Sequence, residues 1–393
     1  MTPGSSQWRS DQLSTMLTFA EGSRTDHGFA WLDAEGRPRA DAGLQMWINA
    51  RMTHVFSLAT LLGRGGAADL AAHGVRTLRT TFADVEYGGW LHQVALDGQV
   101  LDATKSCYDH SFVLLAAASA TAAGVPEAHD LLVDACEVHR AHFWDEEAGA
   151  CRESWDRSFT TCEDYRGANS NMHTVEAYLV VADVTGQAAW RQRALEIVER
   201  LAHGVARAHD WRLVEHFTSA WEALPEHNRD RPDDPFRPYG ATPGHGFEWS
   251  RLMVQLEAAL PDPPAWLLPD AVALFARAAS DGLCYTTDWA GRPVVEERFH
   301  WVLAEALQAA DALGRRTGEA VYAEQAAAWW QLAADHFVDP VNGSWHHELS
   351  PALEVSTRTW DGKPDAYHVV GALLAPDLPL APTAAVALAE PSA

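Results

Sequence analysis

Apolar positions recur at helical spacing along most of this chain, and β-branched clusters inside those stretches are few. Ala- and Leu-rich segments with that periodicity predict helices. They fall at Trp8–Ala20, Ile48–Leu62, Ala67–Phe82, Asp109–Ala123, Ala128–His142 and Asn169–Val184. The series continues with Ala188–Ala206, Glu248–Ala259, Ala265–Ser280, His300–Leu313, Glu319–Phe337 and Ala366–Leu374. Tight Gly-containing breaks join them in pairs, at Gly63–Gly66, Gly124-Val125-Pro126, Thr185-Gly186-Gln187 and from Gly314 to Gly318. Glycine just past a helix is a stop signal. Longer loops rich in Gly, Trp and acidic residues separate the pairs.

Three of these loops share a pattern. Phe82-x-Asp84 precedes Gly89-Trp90, Phe143-x-Asp145 precedes Gly149 and Cys151, and Phe337-x-Asp339 precedes Gly343 and Trp345. A fixed offset after a helix end is the mark of one device used repeatedly, with a short hairpin as the expected form. About twelve helices in alternating pairs predict an all-α (α/α)6 barrel with short β-hairpins in its long loops. The expected organisation is one catalytic domain over 1–375, followed by a flexible tail over 376–393, where Pro and Ala dominate.

Near the starts of alternate helices stand His54, His110, His173, His245, His300 and His368. Parallel helices would gather their imidazoles at one cavity mouth, and imidazole titrates where protons are moved near neutral pH. The segment Pro243-Gly244-His245-Gly246-Phe247-Glu248 sets a histidine between glycines, which gives backbone room for a substrate. Asn169 and His173 are four apart on one helix face, as are Trp47 and Arg51. An amide, a guanidinium and an indole suit a hydroxyl-rich ligand. Tyr108, Trp301 and Glu305 are weaker candidates. Packing explains many of these positions equally well; His110 and His300 fit as hydrogen-bonded structural histidines, and most loop tryptophans as anchors.

Composition narrows the classes. A formal net charge of −25 opposes nucleic-acid and membrane-surface roles and favours a neutral ligand. Five cysteines without a C-x-x-C pair read as reduced thiols of a cytoplasmic protein. The N-terminal residues do not read as a secretory signal, and no apolar run reaches membrane-spanning length. No H-E-x-x-H, Walker loop, dinucleotide fingerprint or G-x-S-x-G elbow occurs. Cofactor-free acid–base catalysis is the expectation, with no metal and no cofactor.

Three segments carry a family resemblance: Arg51-Met52-Thr53-His54, Pro243-Gly244-His245-Gly246-Phe247-Glu248-Trp249, and Lys363-Pro364-Asp365-Ala366-Tyr367-His368. Through them the chain resembles the N-acylglucosamine 2-epimerase superfamily, and within it the branch of D-mannose and sulfoquinovose isomerases. The resemblance implies metal-free interconversion of aldoses and ketoses through a cis-enediol. It implies that His245 and His368 are the catalytic pair. It also implies that Trp47, Arg51, Tyr108, Asn169, His173, Glu248 and Trp301 touch a monosaccharide. Mannose–fructose isomerisation leads. A 2-epimerase, a sulfoquinovose isomerase, a glycosidase with a carboxylate pair, or a non-catalytic carbohydrate-binding module are the competing readings. Monomer and homodimer both stay open.

Overall fold

The computed structural model describes residues 1–390. Among them are thirteen α-helices: α1 (Ser6–Glu21), α2 (Met46–Leu61), α3 (Ala67–Thr80), α4 (Cys107–Ala122), α5 (Ala128–Val138), α6 (Ala168–Thr185) and α7 (Ala188–Val198), then α8 (Pro243–Ala259), α9 (Leu267–Asp281), α10 (His300–Thr317), α11 (Ala320–Leu332), α12 (Tyr367–Leu374) and α13 (Ala384–Ala389). The chain forms two compact units. One contains Ala20–Ile197, Pro364–Tyr367 and the chain from Ala381; the other contains Met1–Phe19, Val198–Lys363 and His368–Leu380.

In the unit that starts at Ala20, α2 packs on α3 and α4, and α4 on α5 and α6. Burial alternates along this series. Thirteen of sixteen residues are buried in α2 and in α4, against eight of fourteen in α3. A helix that is apolar all round must be enclosed, whereas one with a single apolar face lies outside it. The periodicity had marked both kinds as helix. The residues read as a loose tail instead form α13, which packs on α2, α4 and α6. Asp183 anchors it by accepting from the Thr383 amide and hydroxyl, each at 2.7 Å, and Ala385 is buried. A short Ala-rich stretch has no polar face to announce it. Residues 391–393 of that tail lie outside the described residues.

In the other unit α8 packs on α9 and α10, and α10 on α11. Arg9 of α1 reaches the Leu373 carbonyl of α12 at 3.2 Å and Asp377 at 2.6 Å. Helix α10 continues through Gly314 and stops only at Gly318, whose φ of 75° is the left-handed conformation a helix stop requires. The break expected from Gly314 to Gly318 is therefore confined to its last glycine.

The three loop repeats are one device, as their spacing implied. Ala83 bridges Trp90, Trp144 pairs with Cys151, and Val338 bridges Trp345. In each, the Asp side chain accepts two turn amides: Asp84 from Glu86 and Tyr87, Asp145 from Glu147 and Ala148, Asp339 from Val341 and Asn342. A buried lysine then clamps two of the hairpins. Lys105 Nζ donates to Asp84 at 3.0 Å and to the Gly88 carbonyl at 2.8 Å. Lys363 Nζ does the same to Asp339 at 2.6 Å and Gly343 at 2.8 Å. Burial opposes the Asp84 charge, but Arg157 and Lys105 outweigh it and hold the carboxyl well below the usual range. Each clamp fixes where the following helix, α4 or α12, begins.

Candidate active site: two imidazole–carboxylate pairs

His245 is the third residue of α8 and His368 the second of α12. Each presents Nδ1 to a buried glutamate. His245 meets Glu215 at 2.9 Å, and His368 meets Glu305 of α10 at 2.8 Å. A carboxylate at Nδ1 holds the proton there and makes Nε2 the basic nitrogen. Trp301 of α10 packs against both rings, with centroids 5.2 Å from His245 and 5.8 Å from His368. Both histidines are nearly enclosed, at 12% and 7% side-chain exposure, so their partners lose little to solvent.

The glycines beside His245 make this packing possible. A Cβ on Gly244 would lie 2.4 Å from the Trp301 ring, and one on Gly246 would lie 3.0 Å from the Ala278 Cβ of α9. Their space admits neighbouring protein atoms, not the substrate approach expected from the sequence. Glu248 lies one helical turn beyond Gly244. Its carboxylate is 3.6 Å from Arg251, and Arg251 Nε donates to Glu305 at 2.9 Å. Gln308 also donates to Glu305, at 2.9 Å. Glu248, Glu305 and His368 offer donor atoms within 4.8 Å of one another. The Arg251 guanidinium already supplies a positive charge to both carboxylates, so this set fits a metal ion poorly.

The unit from Ala20 holds a second polar cluster. Arg51 bonds Asp365 at 3.2 Å and the Tyr108 hydroxyl at 2.9 Å. Its guanidinium lies 4.3 Å from the Phe112 ring centroid, 4.8 Å from Tyr367 and 4.9 Å from Trp47. Burial works against its charge, but Tyr108, Asp365 and Tyr367 raise its pKa above the ordinary value. His173 packs on Phe112 at 4.6 Å and Tyr108 at 5.2 Å, and the Tyr367 hydroxyl bonds Glu176. Asn169 keeps Oδ1 buried without a hydrogen-bond partner, a feature that points to a ligand.

The remaining histidines serve the fold. His54 lies in the third turn of α2, bonds Ser119 at 2.7 Å, and is pushed down to about 4 by burial. It therefore stands away from the helix start expected of it, with its ring 5.9 Å from that of Tyr367. His110 bonds the Ser106 carbonyl at 2.7 Å and accepts the Trp90 amide at 3.2 Å. His300 bonds the His347 carbonyl at 3.1 Å and stacks on its ring at 3.7 Å. Loop indoles act as anchors: Trp90 donates to Leu78, Trp155 to His142 and Trp289 to Pro225. The sequence reading missed Glu215, Arg251 and Gln308. Glu215 stands in a loop with no periodic partner. Arg251 was legible in part, since it lies three residues after Glu248 on one helix face.

A helical fold that holds paired imidazoles on buried carboxylates is equipped for proton transfer. Residues 28–372 match the family model described as N-acylglucosamine 2-epimerase (GlcNAc 2-epimerase), and the chain belongs to that family. It is 50% identical to a D-mannose isomerase of Thermobifida fusca, over 97% of this chain and 96% of that protein. It is 45% identical to a D-mannose isomerase of Pseudomonas cannabina pv. alisalensis, over 99% and 96%. A crystal structure of D-mannose isomerase superposes with a TM-score of 0.89 at 25% identity, covering 95% of this chain and 99% of that one. The fold is thus of the (α/α)6-barrel type, as the helix pairing predicted. Enzymes of this family are sugar isomerases and epimerases, and this chain is one of them. No helix among the described residues is long and apolar enough to cross a membrane.

Proposed function

We propose that this chain interconverts D-mannose and D-fructose, an aldose–ketose isomerisation through a cis-enediol that uses histidines and no metal. The observation that carries the reading is the pair of His–Glu couples flanking Trp301, in a chain half identical to a D-mannose isomerase. In the forward direction the C2–H bond of open-chain mannose breaks and its proton passes to an imidazole Nε2. The electron pair forms the C1=C2 bond while O1 takes a proton. The imidazolium then returns a proton to C1 as the O2–H proton leaves and the C2 ketone forms. His368 is assigned the carbon-bound proton. His245 is assigned ring opening and the protons on O1 and O2. Both assignments need bases that titrate near the working pH.

Trp47, Arg51, Tyr108, Asn169, His173, Glu248 and Trp301 are proposed to hold the sugar. Arg51 has the donors to hold sugar hydroxyls. The substrate is a free monosaccharide, the compartment the cytoplasm, and residues 1–375 the catalytic domain. Incubation with mannose in D2O, followed by NMR, tests the proposal. Fructose labelled at C1 is expected, with unchanged rate after EDTA. Glucose as the only product would replace isomerisation by 2-epimerisation. Loss of activity on EDTA, restored by a divalent ion, would overturn the metal-free mechanism.

A further inference from the structure

The hairpin that follows α5 departs from its two relatives at matching positions. Four residues before the repeated Phe stand Leu78, His139 and Ala333, and at the closing position stand Trp90, Cys151 and Trp345. In the first and third repeats these positions are filled by side chains of the apolar core. In the second they hold an imidazole and a thiol, and Cys107, the first residue of α4, brings another thiol to them. All three are fully buried, and their donor atoms lie within 4.8 Å of one another. The hydrogen-bond partner of His139 Nε2 among the described residues is the Cys107 thiol, at 3.9 Å, a weak one for an enclosed imidazole. Its Nδ1 meets the Tyr178 hydroxyl at 3.1 Å, and that hydroxyl lies 3.9 Å from Cys151 Sγ. A chain that breaks its own repeated pattern with buried polar groups marks a functional position.

We propose that Cys107, His139 and Cys151 form a structural site for one zinc ion. Tetrahedral Zn–S bonds of about 2.3 Å and Zn–N bonds of about 2.0 Å put sulfur and nitrogen about 3.5 Å apart. The 3.9 Å between Cys107 Sγ and His139 Nε2 needs only a small contraction to meet that. With Nδ1 donating to Tyr178 Oη, the imidazole lone pair lies on Nε2, and the phenol proton is left to donate to the Cys151 sulfur. Such outer hydrogen bonds orient metal ligands. Thr174 Oγ1, 3.6 Å from Cys107 Sγ, donates its proton to the Ser170 carbonyl and offers its oxygen as the fourth ligand. As each Zn–S bond forms the thiol proton leaves to solvent, and no electron is transferred. Two thiolates, a neutral imidazole and Zn2+ sum to zero charge, so the set can stay buried; Cu+ would leave one negative charge in the core. No residue of the set takes part in the proposed reaction, and the enclosed ion is bound as the chain folds.

Full-length protein produced in zinc-supplemented medium and freed of loose metal by gel filtration should carry about one zinc per chain by plasma mass spectrometry. Cys107→Ser and Cys151→Ser should each lose nearly all of it, whereas Cys162→Ser, at a partly exposed thiol outside the set, should keep it. Protein produced in cobalt medium should show thiolate-to-cobalt charge-transfer absorption that Cys151→Ser lacks. A chelator should lower the urea midpoint of the wild type, because the unfolded chain surrenders the ion, and leave that of Cys151→Ser unmoved. Wild-type protein without zinc, zinc unchanged in both cysteine variants, or a Cys107–Cys151 disulfide found by peptide mapping would overturn the proposal. Should the variants not fold, the wild type decides alone: zinc bound with no cobalt band, or a urea midpoint indifferent to chelator, overturns it equally. None of these measurements requires turnover, so a protein that ignores mannose sinks the isomerase reading without touching this one. EDTA added to the folded enzyme probes the reaction and not this enclosed ion.

Discussion

The Arg51 cluster and the His245/His368 cluster both bury charge, but they do so in opposite ways. Arg51 is held from many sides, by a carboxylate, a phenol hydroxyl and the faces of aromatic rings. Nothing in that cage yields a proton easily, since the guanidinium stays charged at all working pH values. The imidazoles each meet a carboxylate at Nδ1 and pack against one indole. That arrangement fixes the ring and keeps the second nitrogen basic. The difference teaches that rigidity alone does not distinguish a holding site from a reacting one. What distinguishes them is whether the bonds made in the fold leave a titratable atom to change state.

The largest expected effect lies in the histidine cluster. His245→Ala and His368→Ala should each lower kcat by roughly a hundredfold to ten-thousandfold, the scale for a general acid–base group. Substrate affinity should change far less. Deuterium wash-in at C2 separates the two: His368→Ala should abolish exchange even with open-chain sugar supplied. Exchange at the wild-type rate would show that the carbon base is assigned to the wrong ring.

In the Arg51 cluster the loss should appear in stability and binding. Arg51→Met removes the buried cation paired with Asp365, a change that costs about 3–5 kcal/mol of unfolding free energy. Urea denaturation reads that term, and a raised KM with nearly intact kcat reads the other. A variant whose kcat collapsed at constant KM would blur the contrast between holding and reacting. A smaller effect comes from Gly244→Ala, whose methyl group must displace the Trp301 ring. Misplacing that indole between two reacting imidazoles should slow kcat about tenfold or more. An unaltered rate would mean that Trp301 does not position them.

The smallest effect concerns a histidine of neither cluster. Asp109 raises the His92 pKa to about 9, above its ordinary value near 6.5. The resulting stabilisation is full below about 6.5 and is lost as pH rises through about 9. His92 is partly exposed, so about 1 kcal/mol is expected after solvent screening. His92→Gln should flatten the unfolding free energy between those pH values. An equally steep profile in the variant would place the titration elsewhere.

Much of this was legible in the residues themselves. Helix positions followed from Ala/Leu-rich runs where α2, α4, α6, α8 and α10 are buried over most of their surface, and from one-faced apolar spacing in helices such as α3. The hairpins followed from Phe-x-Asp and its fixed offset because the Asp side chain must reach turn amides at set positions. His245 was legible through the glycines around it, although their reason was misread: the space is filled by Trp301 and Ala278. Glu215 was not legible, because a loop residue that meets a helix of different register leaves no local period, whereas Gln308, three residues after Glu305 on α10, was legible in part. His54 misled, since a histidine on an apolar helix looks the same in sequence whether it is core or site. The helix α13 was missed because six small apolar residues after prolines carry no amphipathic pattern.

The lysine clamps have a consequence for how such a chain can change over time. Lys105 and Lys363 close onto Asp84 and Asp339 from beyond the stretches 91–104 and 346–362. Each stretch therefore has both ends pinned to one carboxylate, and the next helix is registered by the pin and not by the length of chain before it. Closing a longer loop between fixed ends adds cost only logarithmically. These stretches are thus natural ports for insertion, where a lineage or an engineer can graft new surface while α4 and α12 keep their register.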